Sequence, residues 1–376
     1  MSTLSSTTNK NKETTVGVLI TRRTLRRLQK QKPSLNIIKL QEANEKAKTK
    51  LYMFTLKEID FNRDIIYGIY FNPSTNRWEK GKFSLPDVFY RRSGSLNQTI
   101  QRKLQKKGVK FLNSPKGFNN WEVSLLLLQN KDLCSHVPLT RKCQSFKDLT
   151  KMFKRTNTVY LKSYIGGRGK KVMRIIKQPN KAYHCSYFNK HLIEHRVNTF
   201  EAFQKTIRSF YKKEFIMQEG IDLLTVDGYL VDMRAEVQRN GNGNVEVTAI
   251  AVRRGKKNSP ITTHSESYTF DSFYKNVLKY SDQQVSTFKE EVTQFLKKVY
   301  EQVEEGYGRC GEMGIDFALD KNNKLWLIEC NSRSAKVSLH KAFDQQTVNQ
   351  SFLNLLEYAK YIAKEKSERK YASHYQ

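Results

Sequence analysis

Short apolar blocks, many alternating with polar residues, recur along the chain and predict strands. Thr15-Val-Gly-Val-Leu-Ile-Thr21 reads as a strand entering a basic helix. Leu51-Tyr-Met-Phe, Ile65-Ile-Tyr-Gly-Ile-Tyr-Phe71, Arg77-Trp-Glu-Lys and Pro86-Asp-Val-Phe-Tyr-Arg-Arg92 predict further strands, with Asn72-Pro-Ser-Thr-Asn as a turn. This alternation predicts a small α/β domain over 15–93, after a disordered tail at 1–14, with the polar Ser93-Gly-Ser-Leu-Asn-Gln as its boundary. Beyond it, helical spacing predicts helices over Asn120–Leu133, Ser145–Arg155 (Ser145 as N-cap), Phe200–Lys213, about Phe270–Lys279 and Asp282–Glu305. Between them lie strands at Thr158–Tyr164, Val172–Ile176 and, with a kink, Glu214–Ile221. A hairpin, Tyr229–Gln238 with Val245–Arg253, turns at Asn240-Gly-Asn-Gly. Runs of antiparallel strands between helices make this part α+β rather than a doubly wound sheet.

At 376 residues and 38% hydrophobic, the chain can bury two or three domain cores. No run reaches the ~18 apolar residues of a membrane span. The N-terminus lacks the apolar region of a secretory signal. Five cysteines, Cys134, Cys143, Cys185, Cys310 and Cys330, form no CxxC pair, so a disulfide framework is not expected and a reducing cytoplasm fits. Charge is the unusual property: 67 Lys and Arg against 36 Asp and Glu give +31. That surplus implies a polyanionic partner or surface: an acidic peptide or polymer, or anionic lipid headgroups, with nucleic acid less favoured. The basic runs at 21–27, 102–107 and 364–370 can each also be a solvated helix face.

The most informative stretch is Met313-Gly-Ile-Asp-Phe-Ala-Leu-Asp-Lys-Asn-Asn-Lys-Leu-Trp-Leu-Ile-Glu-Cys-Asn331. It predicts a hairpin turning at Lys321–Lys324, where Asn tolerates positive φ. Glu329 and Asn331 are two apart and share a strand face, and pairing brings Asp316 across from them. Two carboxylates and an amide form a hard-oxygen site suited to Mg²⁺. The acids can also be the wet face of an antiparallel sheet. Glu329 speaks against that, because it follows Leu-Trp-Leu-Ile in a strand apolar on both faces, and a buried carboxylate needs a partner or a metal.

Two further patterns carry chemistry. Gly166-Gly-Arg-Gly169 joins two predicted strands, and glycines there let backbone N–H groups approach phosphates. Lys162 on the incoming strand points a cation toward the same anion. No GKS or GKT follows, so the loop is not a Walker P-loop, and it can equally be a plain turn. On the later hairpin Asp232 and Arg234 share a face that Arg253 can join across the sheet. Such arginines clamp phosphate or carboxylate oxygens, or else form a cross-strand ion pair.

A lysine strand, a glycine loop, a Gln/Glu strand, Asp-x-Arg and then Asp…Glu-x-Asn is an order that resembles the ATP-grasp superfamily. Within it the chain is similar to the YheC/YheD endospore coat-associated group, through Val16-Gly-Val-Leu-Ile, Pro86-Asp-Val-Phe-Tyr-Arg91, Val137-Pro-Leu-Thr140, Val159-Tyr-Leu-Lys162, Gly167-Arg-Gly-Lys170, Ile216–Ile221, Asp232-Met-Arg234, Gly314-Ile-Asp316 and Leu327–Asn331. The resemblance implies an ATP-grasp domain over 94–376, with a nucleotide-flap part at about 145–215 and a metal-binding part at about 216–365. It implies that Lys162 reaches the adenine and α-phosphate side of ATP, and that Gly166, Gly167, Arg168 and Gly169 form a flap over the phosphates. Gln218, Glu219 and Ile221 would belong to the hinge that reads adenine, and Asp232 would hold the ribose or orient Arg234. Asp316, Glu329 and Asn331 would bind one or two Mg²⁺ ions.

Three positions depart from the related sequences: Asn120 stands where a lysine is common, Asn331-Ser-Arg-Ser334 lacks the usual proline, and Thr262–Ser267 replaces a glycine-containing segment. These bear on substrate binding and turnover more than on nucleotide binding. Two functions follow. One is a Mg²⁺–ATP-dependent carboxylate–amine or carboxylate–thiol ligase working through an acyl phosphate, with Arg234 and Arg253 as its catalytic cations and the carboxylate and amine unidentified. The other is a non-catalytic basic binding or coat-structural protein retaining the fold, with a coat component as a further candidate polyanionic partner. His184, His191 and His195 fall in a region read as a loop and as surface rather than metal ligands. No helix-turn-helix, zinc or homeodomain signature supports DNA reading.

Overall fold

The computed structural model describes residues 13–93, 96–167, 170–180, 182–189, 191–211, 214–255, 259, 262 and 266–365. The sequence-predicted tail therefore lies outside the described residues save its last two. The chain divides into two compact units.

The first unit comprises residues 1–115, 239–244 and 352–376. Its sheet contains β1 (Thr15–Leu19), β2 (Lys50–Phe54), β3 (Ile59–Asp60), β4 (Ile65–Asn72), β5 (Arg77–Ser84), β6 (Val88–Arg91) and β7 (Lys110–Phe111), in the order β3-β4-β2-β1-β6-β7 with β5 beside β4. Strands β2, β1, β6 and β7 run parallel. Strand β1 is buried at every position, as a central parallel strand must be. Helices α1 (Arg22–Gln29), α2 (Leu35–Ala47) and α3 (Gln98–Lys106) complete the alternation. The predicted α/β character holds in these elements, and the Ser93 boundary segment lies inside this unit, since α3 and β7 follow it.

The second unit comprises 116–238 and 245–351 and holds two six-stranded sheets. It opens with α4 (Asn120–Leu128), shorter than the predicted Asn120–Leu133: turns occupy 129–133 and a 3-10 turn at Cys134–His136 follows. The first of its sheets has the order β12-β11-β10-β9-β13-β8 and is wholly antiparallel. Its strands are β8 (Thr140–Cys143), β9 (Thr158–Gly167), β10 (Lys170–Lys177), β11 (Tyr183–Asn189), β12 (His191–Val197) and β13 (Phe215–Glu219). Helices α5 (Phe146–Met152), opened by a Ser145–Asp148 capping box, and α6 (Phe200–Phe210) contribute Leu149, Met152, Phe203 and Ile207 to its core.

The second of these sheets has the order β17-β16-β15-β18-β19, with β14 beside β15. Its strands are β14 (Thr225–Val226), β15 (Tyr229–Arg239), β16 (Val245–Arg254), β17 (Glu266–Thr269), β18 (Glu312–Leu319) and β19 (Leu325–Asn331). The predicted helix at Phe270–Lys279 is a short α7 (Phe270–Ser272) continued as a π-helix through Val277. Helix α8 (Asp282–Tyr307) is capped by Ser281 and stopped by Gly308 at φ 75°. It buries Val285, Val292, Leu296, Val299 and Val303, a helical stripe that packs in the core of this sheet. Each such side chain stabilises by roughly 1.5–3 kcal/mol. Helices α9 (Val337–Ala342) and α10 (Gln345–Lys364) end the described chain.

Candidate functional site: a cleft and an acid–arginine cluster

Strand β18 is buried along its whole length and pairs with β15 on one side and β19 on the other. The register sets Arg234 opposite Asp316, Asp316 opposite Glu329, and Gly314 opposite Asn331. Paired residues share a face, so Arg234, Asp316 and Glu329 form a row across three strands. The hairpin turn is the predicted one: Asn323 takes φ 61°, and Asp320 accepts hydrogen bonds from the Asn322 and Lys324 N–H groups and from Trp326 Nε1.

The arginines are locked. Arg234 grips Asp316 with two bonds, Nε to Oδ1 at 2.5 Å and Nη2 to Oδ2 at 2.7 Å. Arg253 grips Asp232 likewise, at 2.7 and 2.6 Å, and its Nη2 also lies 3.0 Å from Asp316 Oδ1. The Thr262 hydroxyl donates to Asp232 as well. Asp232 therefore orients Arg253, not Arg234. In each arginine Nε and Nη2 are committed and Nη1 makes no hydrogen bond among the described residues, leaving it for an anion.

Burial would raise the Asp316 carboxyl, but Arg234 and Arg253 outweigh it and hold that carboxyl below the usual aspartate range. Glu329 goes the other way: burial first, then Asp316 opposite, push its carboxyl up against partial relief from Lys162 and the arginines. Glu329 accepts no hydrogen bond and closes no ion pair among the described residues, and the buried Asn331 Nδ2 has no partner.

This donor set fits Mg²⁺. Glu329 and the Asn331 amide are untied, and Asp316 Oδ2 accepts one hydrogen bond, so a lone pair remains. Among the described residues no three His, Cys, Asp or Glu side chains cluster as metal ligands, so the amide is needed to complete the triple.

Lys162 on β9 faces this cluster from the other sheet of the unit. Between Asp316 and Phe317 the β18–β19 ladder skips Ile328, a bulge, and the Ile328 carbonyl accepts from Lys162 Nζ at 3.3 Å. Lys162 Nζ also donates to Gln218 Oε1 at 2.6 Å, and Gln218 Nε2 donates to Thr140 Oγ1 at 3.1 Å. Burial lowers the Lys162 ammonium, against support from Glu329 and Asp316. Lys162, Gln218, Ile328 and Glu329 line one narrow cleft with Asn120 and Val137. Glu219 caps the segment beside it, its Oε1 accepting from the Leu139 N–H at 2.7 Å, and the Ile221 carbonyl accepts from the Leu223 N–H. Gly166 and Gly167, expected in the loop after a strand ending at Tyr164, instead fall in the last positions of β9; Arg168 and Gly169 lie outside the described residues.

Some of the arrangement escapes sequence reasoning. Lys336, 1% exposed and in left-handed backbone, lies 3.3 Å from Glu236 and 3.4 Å from Glu312, themselves 2% and 0% exposed. Ser334, at the missing-proline position, donates to Glu236. Glu236 was findable, since it extends the every-second-residue series Asp232, Arg234; Lys336 has no local signal. His184, His191 and His195 do not lie in a loop but on β11 and β12, where His184 meets Glu194 at 3.3 Å and His195 meets the Tyr187 hydroxyl at 3.3 Å.

A family model for YheC/D-like ATP-grasp proteins matches residues 108–362. The chain is 27% identical over 351 residues to the endospore coat-associated protein YheD of Bacillus subtilis, covering 88% of this chain and 74% of YheD. It is 22% identical to YheC of the same organism, covering 80% of this chain and 84% of YheC. Among solved structures it shares its fold with the ATP-grasp ligase PsnB (TM-score 0.51, 12% identity, 93% and 99% of the two chains). It shares it also with D-alanyl-alanine synthetase A of Vibrio cholerae (TM-score 0.50, 12% identity, 92% and 98%). With more than half of its length matched, the chain belongs to the YheC/D-like ATP-grasp family.

Proposed function

We propose that this protein is a Mg²⁺–ATP-dependent ligase that joins a carboxylate to an amine or thiol. The observation that carries this reading is the row in which Asp316 is held by two arginines opposite an unbonded Glu329, with Lys162 across the cleft. A substrate carboxylate attacks the γ-phosphorus, ADP leaves, and the acyl phosphate is then attacked by the amine or thiol with loss of phosphate. The Nη1 groups of Arg234 and Arg253 would meet the oxygens of that acyl phosphate, in planes pre-set by Asp316 and Asp232. Asp316, Glu329 and Asn331 would hold Mg²⁺, which when bound neutralises phosphate charge. Lys162 would contact the nucleotide, Gln218 fixing its ammonium, and the Gly166–Gly169 loop would cover the phosphates. The coat association of the relatives suggests a spore-coat setting.

The +31 charge favours a second reading, a basic coat component that binds nucleotide without turnover. Mixing the protein with Mg²⁺–ATP and pools of amino acids, peptides and acidic polymers separates the two. The ligase reading expects acceptor-dependent ADP and phosphate, lost in Glu329→Gln; tight Mg²⁺–ATP binding with no ADP from any pool favours the second.

A further inference from the structure

Lys142 does not line the cleft but pairs opposite Ile216, which does, and it has no part in the chemistry above. On β8 it pairs opposite Ile216 of β13, and Ile216 pairs opposite Lys162 of β9. Directly paired residues point to one face, so both lysines project from the same side of the sheet. Their backbones are two strand spacings apart, roughly 9–10 Å. The Lys142 ammonium lies 5.8 Å from the Trp121 ring centre and 6.0 Å from that of Tyr164. Trp121 follows Asn120, which lines the cleft and donates from Nδ2 to the Ser163 carbonyl at 3.2 Å.

Those rings position Lys142 without neutralising it, since an exposed cation–π contact contributes only about 0.5–1 kcal/mol. It closes no ion pair and makes no hydrogen bond among the described residues, and Glu214, just before β13, does not pair with it. The Lys162 ammonium, by contrast, is already bonded to Gln218 and Ile328. We infer that Lys142 is a phosphate-binding cation of the nucleotide site, supplying from β8 the charge that Asn120 leaves absent from α4. The inference rests on the nucleotide reading above.

Calorimetry on the full chain with Mg²⁺–ATP and with adenosine tests it. Losing one charge-assisted contact should weaken Mg²⁺–ATP about tenfold or more in Lys142→Ala, with adenosine affinity changed by less than about twofold. Adding Asn120→Lys to Lys142→Ala should restore most of the lost affinity. Unchanged Mg²⁺–ATP affinity in Lys142→Ala, alongside a loss in Lys162→Ala, would overturn the inference and leave the nucleotide reading intact. An equal loss for adenosine would overturn it too, since Lys142 would then be acting on the base. No binding of Mg²⁺–ATP by the unaltered protein would overturn both.

Discussion

Lys336 shows how much a single side chain can carry in this protein. Its ammonium is buried between Glu236 and Glu312, and the same Glu236 accepts from Ser334, so the segment after Asn331 is tied to β15 and β18. Removing one member of a buried ion cluster strands the others, at about 3–5 kcal/mol. Lys336→Met should therefore lower unfolding free energy in urea by that order; a loss below about 1 kcal/mol would show that the cluster is dispensable. Asp316 and Glu329 should separate in the same assay. Asp316→Asn leaves Arg234 and Arg253 without their shared carboxylate and should destabilise by several kcal/mol, about what a broken buried pair costs. Glu329→Gln removes a carboxylate that burial and Asp316 already disfavour, so stability should be kept while Mg²⁺-dependent ATP binding is lost. Full-strength Mg²⁺–ATP binding by Glu329→Gln would end the metal assignment.

Among the elements, two local features position the cleft. The bulge at Ile328 turns one carbonyl of β19 toward Lys162, joining the two sheets of the second unit. Gly220, just past β13, passes so close to β9 that an added Cβ would lie 2.4 Å from Thr158 Cγ2 and 2.6 Å from Thr158 Cβ. Its N–H donates to the Thr158 carbonyl at 2.7 Å, so neither backbone can retreat without losing that bond. Gly220→Ala should cost about 1–3 kcal/mol, as overpacking does. A melting temperature unchanged within error would show that this segment relaxes freely.

For the whole molecule the charge surplus matters most. Helix α1 exposes Arg22, Arg23 and Arg27, and among the described residues no helix is long and apolar enough to cross a membrane. A nucleotide site needs only a few of the 67 basic side chains, and unneutralised like charge works against compactness. The expected partner is an acidic polymer whose affinity falls steeply as the Debye length shrinks from about 30 Å at 0.01 M salt to about 8 Å at 0.15 M. Titrating poly-glutamate, a coat extract and nucleic acid over that range checks it. Affinities that remain millimolar at the lowest salt would rule out a dedicated anionic partner.

What the amino-acid order determines by itself is local. The parity of Asp232 and Arg234, the Glu329–Asn331 pair and the Asn-rich turn follow from a two-residue period and a short hairpin; that Asp316 comes near the pair is legible in the residue order, but setting it opposite Glu329 rather than Ile328 takes the bulge. Tertiary structure decided the rest. Strand β12 is half-exposed, with two His, Glu and Arg among its seven residues, so its apolar signal is weak; it becomes a strand by pairing with β11, which itself pairs with β10. Which acid each arginine grips depends on the order of four strands, joining Arg234 to Asp316 across 82 positions. The Lys336–Glu236 contact spans 100, and Lys142 meets Trp121 only because α4 lies over one face of a sheet. Side-chain charge has no periodicity to betray its partner. Its pairing is set by register and by the low dielectric of the site, and both exist only once the sheets have formed.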